Sequence, residues 1–223
     1  MTEILFEEKN IYQRATKLIV KSINKILSQK DKVVIGLPGG RNISQIIEIL
    51  KKEHLSWEKI HVFMVDERLV PITDNDSNFK LIQGLAEVLP KDNLHPFILE
   101  ASKADFGLPS YENEIKKYGG TYDIIVVSAG EDGHIGALYP NHSSILDESN
   151  FYMILHDSPK PPKNRMSMTK KMLMRSKIGI LLFCGDIKKE AYRKFLDNNI
   201  DFDKCPAKLV SKLPEAYVLT NIL

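Results

Sequence analysis

Several features that would point to particular classes of protein are missing from this chain of 223 residues. It has only two cysteines, Cys184 and Cys205, which are too few for a disulfide framework and do not have the spacing of a metal site. No run of about 18 apolar residues occurs, so no transmembrane helix is predicted. The N-terminus lacks the long apolar region of a signal peptide. These absences favour a cytoplasmic protein without a membrane partner.

The chain also has no large excess of positive or negative charge, because 31 basic residues are balanced by 29 acidic ones and the net charge is +2. That balance favours no particular partner. Six basic residues are nevertheless clustered between residues 158 and 176, with no acidic residue among them. No aromatic residue lies between them, so nucleic-acid binding is not predicted. A phosphorylated small molecule and a simple solvated surface remain as explanations.

What the chain does have is a regular alternation of apolar runs with amphipathic segments. With 43% hydrophobic residues, it is long enough to bury a sizeable core. The alternation predicts an α/β fold with an open, mostly parallel sheet and helices on both faces. No shift in composition marks a linker, so a single domain over residues 1–223 is expected. We predict strands at 32–37, 60–65, 122–127, 152–155, 177–183 and 216–219, and helices at 6–29, 44–52, 78–89, 111–118, 169–175 and 187–196.

The most informative stretch is residues 124–134, where a run of β-branched residues is followed by small residues and then by Asp132-Gly133-His134. In an open α/β sheet, ligands bind beyond the carboxyl ends of the strands. A histidine in that place can accept or donate a proton near neutral pH. The pattern therefore predicts a catalytic imidazole at His134, with a purely structural histidine as the alternative.

A second strand, at 32–37, leads into the glycine turn at Gly39 and Gly40 and then into a helix, with Asn42 or Ser44 as its expected N-cap. This arrangement lets backbone N–H groups approach an anion at a helix N-terminus. The turn is neither the glycine fingerprint of dinucleotide-binding folds nor a P-loop, so neither a dinucleotide nor ATP is indicated. The alternatives are a phosphate site and a simple tight turn.

Two further segments carry charge in suitable places. A third buried strand ends at Asp66, where a carboxylate could orient an imidazole, and Arg68 follows with a guanidinium suited to phosphate; a surface ion pair is the alternative. The segment 158–165 contains three prolines, which stiffen a loop that presents Lys160 and Arg165 to an anion. A polyproline ligand for a partner domain is the competing interpretation.

Taken in this order, the four segments resemble the 6-phosphogluconolactonase family. Gly-Gly-Ser-Thr is common in that family where this chain has Gly39-Gly40-Arg41-Asn42, and glycine is common where this chain has Ser128. The related glucosamine-6-phosphate deaminases typically have tyrosine where this chain has Arg68, and they lack the proline-rich loop. The matching segments are residues 36–40, 66–68 with 76–78, 132–134 with 138–140, and 158–162 with Arg165.

The resemblance implies hydrolysis of 6-phospho-D-glucono-1,5-lactone to 6-phosphogluconate in the pentose phosphate pathway, without a metal or a cofactor. His134 would be the general base, oriented by Asp132 or Asp66. The oxyanion would be held by backbone N–H groups around Gly39-Gly40 or at Gly133. The 6-phosphate would be held by Arg68, Lys160 and Arg165, with Arg41 as a further candidate. A monomer or a weak homo-oligomer is expected.

Two other functions stay open at this point. One is an amino-sugar-phosphate isomerase or deaminase, with Asp66 as a base at C2 and His134 assisting ring opening. The other is a sensor that binds a sugar phosphate without converting it. Release of ammonia from glucosamine 6-phosphate would identify the first, and binding without turnover would identify the second.

Overall fold

The computed structural model describes residues 2–223 and contains, within them, ten strands and six α-helices. None of the helices in that range has the length and apolar character needed to cross a bilayer. The strands are β1 (Thr2–Phe6), β2 (Val33–Leu37), β3 (Ile60–Met64), β4 (Asp66–Arg68), β5 (Leu94–His95), β6 (Ile124–Ser128), β7 (Tyr152–Leu155), β8 (Arg165–Met168), β9 (Ile178–Phe183) and β10 (Glu215–Thr220). The helices are α1 (Ile11–Leu27), α2 (Arg41–Leu50), α3 (Asn78–Ile82), α4 (Leu108–Lys116), α5 (Lys170–Met174) and α6 (Lys189–Leu196).

Seven strands form a parallel sheet in the order β1-β10-β9-β6-β2-β3-β5. The predicted open, mostly parallel sheet of an α/β fold is thereby confirmed. From β2 the chain proceeds outward through β3 and β5, and it then returns to place β6 on the other side of β2. The strand order therefore reverses between β2 and β6. Ligands in open α/β sheets bind at such a switch point, outside the carboxyl ends of the strands.

The helices follow from their apolar spacing. In α1, the predicted apolar face is buried, with Ala15, Ile19 and Ile23 at its centre. Because apolar residues recur every three or four positions, one side of the helix packs on the sheet. The expected side-chain N-cap of α2 is wrong: the N-cap is Gly40, with no side-chain hydrogen bond. The Asn42 side chain is consequently available for other contacts.

Some elements differ from the prediction because their partners are distant in sequence. The first helix begins at Ile11, not at residue 6, and Thr2–Phe6 instead pairs with β10 at the other end of the chain. The helix predicted at 78–89 is α-helical only to Ile82 and continues as a 3-10 helix over Gln83–Glu87. A second, antiparallel sheet of β4, β8 and β7 was not predicted. Two of its strands, β4 and β8, are only three and four residues long, and β4 is entirely polar, so neither gives the sequence signal of a typical strand.

A buried pair of histidines lies on neighbouring strands of the main sheet. His61 on β3 is 3% exposed and His95 on β5 is 7% exposed, with Nδ1 of the first 3.2 Å from Nε2 of the second. Burial, reinforced by Lys32, lowers the pKa of His61 to about 4. Burial, reinforced by His61 itself, lowers the pKa of His95 to about 4, against the opposing charge of Glu114. Both imidazoles are therefore neutral in the folded protein at neutral pH.

We expect this pair to make the fold sensitive to acid. Between the unfolded histidine pKa of about 6.5 and the folded value, the unfolded chain binds more protons than the folded one, so stability falls as pH decreases. The loss is on the order of 3 kcal/mol for each imidazole across that range. Urea unfolding from pH 7.5 to 4.5 measures it. The dependence of the unfolding free energy on pH should be weaker in His61→Phe/His95→Phe than in wild type, and unchanged in the exposed His54→Gln. The same pH dependence in wild type and both variants would contradict the assignment.

Candidate active site

A cleft of about 460 Å³ opens at the carboxyl edge of the main sheet, near β2 and β6, between which the strand order reverses. The register places Leu37, Ser128 and Leu182 at this edge, so the segments that follow β2, β6 and β9 meet there. The sequence therefore brings three separate strand ends to one cavity. Its lining residues are Tyr12, Gly39, Gly40, Arg41, Asn42, Ser128, Ala129, Gly130, His134, Lys160, Cys184, Ile187 and Lys188.

His134 lies in the turn after β6 and is held there by Asp132. Its Nδ1 is 2.5 Å from Asp132 Oδ1, and the same oxygen accepts the backbone N–H of His134 at 3.2 Å. On the other side, the ring of the buried Tyr139 lies with its centroid 5.0 Å away. With Nδ1–H directed to the carboxylate, Nε2 is the ring nitrogen with a free lone pair, as a general base requires.

The charge of Asp132 is stabilised by this contact. Partial burial acts to raise the pKa of Asp132, but the hydrogen bond and the charge interaction with His134 outweigh it and bring the pKa well below its usual range. Asp132 is therefore ionised throughout the pH range in which an imidazole titrates. Of the two carboxylates predicted to orient His134, Asp132 is the one that contacts it.

Gly130 leaves the space that the imidazole occupies. A Cβ at this position would lie 2.0 Å from both Nδ1 and Cε1 of His134, closer than any real contact. Because its N–H also bonds the backbone carbonyl of His134 at 2.8 Å, the turn cannot simply move away. The absence of a side chain at Gly130 is thus a steric requirement of the histidine's position.

We expect Gly130→Ala to displace the His134 ring and to lower kcat at least 100-fold, since misplacing a catalytic group by about 1 Å can cost that much. Gly84→Ala is the matched control, because its Cβ would meet neighbours only at 3.5 Å or more. Steady-state kinetics with a circular dichroism check of folding measures the effect. A folded Gly130→Ala protein with near-wild-type kcat would contradict this geometry.

Asp66 lies two residues after the carboxyl end of β3, and it supports the glycine turn instead of the imidazole. It is 4% exposed, and its Oδ2 accepts the Asn78 side-chain amide at 3.0 Å. Asn78 in turn packs against Gly39 so closely that a Cβ there would lie 2.2 Å from its Oδ1. Burial raises the pKa of Asp66, and the charge of Arg165 opposes this shift most strongly.

The backbone donors near the cleft differ in availability. The N–H of Gly133 already bonds the carbonyl of Gly130 at 3.1 Å, so it is not free for a ligand. The N–H groups of Gly39 and Gly40, by contrast, have no hydrogen-bond partner within residues 2–223. Of the two predicted oxyanion sites, only the one at the glycine turn has free donors.

Three cations line the cleft: Arg41, Lys160 and Lys188. Sequence reasoning missed Lys188, which follows β9 in a 3-10 turn over Asp186–Lys188. Burial lowers the pKa of Lys188, with Lys160 adding to the shift and Glu131 opposing it. The signal available in the sequence was that β9 is a buried strand whose carboxyl end belongs to the same edge of the sheet.

The structure places the other two predicted phosphate ligands away from the lining of the cleft. Arg165 is 5% exposed, and its guanidinium donates to the carbonyls of Lys160, Pro161 and Pro162 at 3.0 to 3.3 Å. It also lies 3.7 Å from Asp66 Oδ2. Arg68 donates to the carbonyl of Asp76. The Arg165 donors are thus directed at the protein's own backbone and at Asp66, whereas Arg68 has one backbone partner and a buried Nε with no partner within residues 2–223.

Besides Arg165, the buried side chain of Ser158 also holds the loop that bears Lys160. Ser158 is buried, and its hydroxyl lies 2.9 Å from the Tyr139 hydroxyl and 2.8 Å from the carbonyl of Lys160. Since Tyr139 also packs against the imidazole, one residue contacts both the turn of His134 and the loop of Lys160. The His134 imidazole and the Lys160 loop therefore both rest on Tyr139.

A larger cavity, of about 720 Å³, lies beside β5 and is lined mainly by apolar residues together with His95 and Glu114. It contains neither His134 nor any of the three cations of the cleft. Nor does any part of residues 2–223 bring together three or more His, Cys, Asp or Glu side chains in a way that could hold a metal ion. We therefore locate the candidate active site by its chemistry and not by size.

A histidine–aspartate pair at the switch point of a parallel sheet, facing three cations, defines a class of α/β enzyme that acts on an anionic substrate. The model of the family described as glucosamine-6-phosphate isomerases/6-phosphogluconolactonase matches residues 7–218, and the chain belongs to this family.

Individual relatives agree with this assignment. A 6-phosphogluconolactonase from Borreliella burgdorferi is 36% identical over 201 residues, which are 86% of each chain. The crystal structure of a 6-phosphogluconolactonase from Thermotoga maritima is similar with a TM-score of 0.86 over 99% of both chains, at 25% identity. A monomeric glucosamine-6-phosphate deaminase has a TM-score of 0.81 over 98% of this chain and 96% of its own, at 23% identity. That last likeness shows the fold alone, so the fold does not separate the two activities.

Proposed function

We propose that this chain hydrolyses 6-phospho-D-glucono-1,5-lactone to 6-phosphogluconate, the reaction of the oxidative pentose phosphate pathway, with His134 as the general base. The observation that carries the mechanism is the Asp132–His134 contact of 2.5 Å at the wall of a cleft that also holds three cations. A lactone is an activated ester, so a positioned base and an anion site are sufficient machinery for its hydrolysis.

The proposed reaction begins with water bound between His134 Nε2 and C1 of the lactone. Nε2 takes a proton as the water oxygen attacks C1, and Asp132 stabilises the imidazolium that forms. The negative charge on the former carbonyl oxygen is met by the free N–H groups of Gly39 and Gly40. Collapse of the intermediate breaks the bond between C1 and the ring oxygen, which receives the proton back from His134.

The phosphate is the second anchor of the substrate in this proposal. Arg41, Lys160 and Lys188 line the cleft and supply positive charge, with Arg suited to bidentate contact and Lys acting as a point charge. Binding energy from the phosphate positions C1 at the base, so it contributes to rate as well as affinity.

In place of direct phosphate contact, we propose positioning roles for Arg165 and Asp66. Arg165 fixes the loop of Lys160 through its three carbonyl contacts, and Asp66 fixes the glycine turn through Asn78. We also propose a cytoplasmic setting, because both cysteines are free and buried, which fits a reducing compartment.

The test is hydrolysis of freshly generated 6-phosphogluconolactone, coupled to 6-phosphogluconate dehydrogenase, with the spontaneous opening of the lactone subtracted. A rate well above that background is expected. A parallel assay measures ammonia release from glucosamine 6-phosphate, for which none is expected. Ammonia release with no enzymatic lactone hydrolysis would replace the proposal by a deaminase, and phosphate-sugar binding without either reaction would replace it by a sensor.

A further inference from the structure

Three side chains on one wall of the cleft are joined in a hydrogen-bonded series. The hydroxyl of Tyr12, in the first turn of α1, donates to Asn42 Oδ1 at 3.0 Å. The Asn42 amide, in the first turn of α2, then donates from Nδ2 to Ser128 Oγ at 2.9 Å. Ser128 is the last residue of β6, and all three residues line the cleft. We call this series the Tyr12–Asn42–Ser128 relay.

The direction of the relay leaves one donor without an acceptor. Burial raises the pKa of Tyr12, with Cys184 adding to the shift and Arg41 opposing it, so the phenol keeps the proton that it donates to Asn42. Asn42 uses its carbonyl oxygen on Tyr12 and therefore presents its amide to Ser128. Ser128 Oγ accepts that bond, and its own hydrogen donates to no acceptor within residues 2–223.

The surroundings of the Ser128 hydroxyl indicate which kind of ligand it would bind. Ser128 Oγ lies within hydrogen-bond distance of a side chain in the first turn of α2, where the N–H groups of the helix start are unpaired and the helix dipole favours negative charge. Arg41, which precedes Asn42, adds a cation at the same place. A half-buried hydroxyl with a free hydrogen beside these groups is suited to an anionic oxygen.

We propose that Ser128 is a specificity-determining residue whose hydroxyl donates to the substrate phosphate, and that Tyr12 is a positioning residue that acts on it through Asn42. This inference rests on the proposed function, since it assigns a phosphate contact within the same site. It also gives a role to the Asn42 side chain, which does not cap α2 but joins Tyr12 to Ser128.

The experiment compares wild type with Ser128→Ala, Ser128→Thr, Tyr12→Phe and the double variant Tyr12→Phe/Ser128→Ala. Ser28→Ala is the matched control, because it removes an exposed hydroxyl that donates to Lys25 at the end of α1. Calorimetry measures binding of 6-phosphogluconate, and steady-state assays measure KM and kcat for 6-phosphogluconolactone and for the unphosphorylated gluconolactone.

We expect Ser128→Ala to weaken binding of 6-phosphogluconate and to raise KM for the phosphorylated lactone about tenfold or more, as for loss of a hydrogen bond to a charged group. The kcat/KM for the unphosphorylated lactone should not change, and Ser128→Thr should restore most of the binding. Tyr12→Phe should weaken binding severalfold. In the double variant it should add nothing to Ser128→Ala, because its effect passes through Ser128.

Equal losses with both lactones, additive losses in the double variant, or unchanged binding in Ser128→Ala would overturn the assignment. Absence of 6-phosphogluconate binding by wild type would overturn it as well. Because binding is measured without turnover, failure of the hydrolysis assay alone would remove the proposed reaction and leave the comparison of Ser128 variants valid.

Discussion

Replacing His134 by alanine is expected to lower kcat for lactone hydrolysis about 10²–10⁴-fold, the usual contribution of a positioned general base. The His134 imidazole is the only one that lines the cleft, as far as residues 2–223 describe it, so no neighbouring histidine can take over the role. Its side chain is partly exposed and makes no buried hydrogen bond, so its removal should leave the fold intact.

The measurement is steady-state kinetics on the folded variant, with spontaneous lactone opening subtracted at each concentration. His54→Ala, which removes an exposed histidine after α2, is the matched control and should match wild type. If a folded His134→Ala protein kept more than about a tenth of the wild-type kcat, His134 would not be the base. The loss would then be less than about tenfold, well below the roughly 100-fold minimum that is typical of a general base.

The pH dependence provides an independent check of the same assignment. A general base must be neutral to accept a proton, so the kcat/KM of a histidine-dependent hydrolysis should fall in acid. Asp132 does not contribute to this acid limb, because its contact with His134 holds the pKa of its carboxyl well below its usual range. The limb should therefore be absent from whatever activity remains in His134→Ala.

The strand ends were the part of this site that the sequence could predict. Buried runs of β-branched residues are recognisable locally, and parallel strands place their carboxyl ends on one edge. That reasoning is sufficient to bring Gly39, Asp66 and His134 to the same side of the sheet. It does not specify which carboxylate contacts the imidazole, because the 2.5 Å contact of Asp132 depends on the conformation of a single turn.

Side-chain direction was what the sequence could not predict. The sequence predicts that Arg165 faces an anion, but Arg165 belongs to β8, a four-residue strand that was not predicted and that pairs with β4 and β7. A shift of one residue in a strand moves a side chain to the opposite face. Without knowledge of that pairing, an inward guanidinium could not be distinguished from an outward one. Lys188 was missed for the complementary reason, since a lysine after a strand is usually solvated.

Replacing the buried Arg165 by methionine is expected to have the largest effect on stability of any single change in the site. Three loop carbonyls would lose their donor, and Asp66 would lose the cation 3.7 Å away. Removing one partner of a buried ion pair typically costs about 3–5 kcal/mol, because the remaining charge stays buried. The released loop should also position Lys160 poorly and raise KM.

Comparison of three variants separates these effects. Lys160→Ala should raise KM but leave the free energy of unfolding nearly unchanged, because its side chain makes no ion pair within residues 2–223. Arg193→Met, which removes an exposed arginine from α6, should change neither quantity. Arg165→Met should change both, and a fully stable Arg165→Met protein with a raised KM would instead indicate direct contact with the phosphate.

The pH dependence of the Arg165→Met stability decides how much of the loss comes from Asp66. Burial already raises the pKa of Asp66, and the charge of Arg165 opposes that shift, so the variant should raise it further. An acid whose folded pKa is raised loses stability as pH increases through that range. The destabilisation by Arg165→Met should thus be smaller at pH 5 than at pH 8 in urea unfolding. A loss that is equal at both pH values would assign the effect to the loop carbonyls alone.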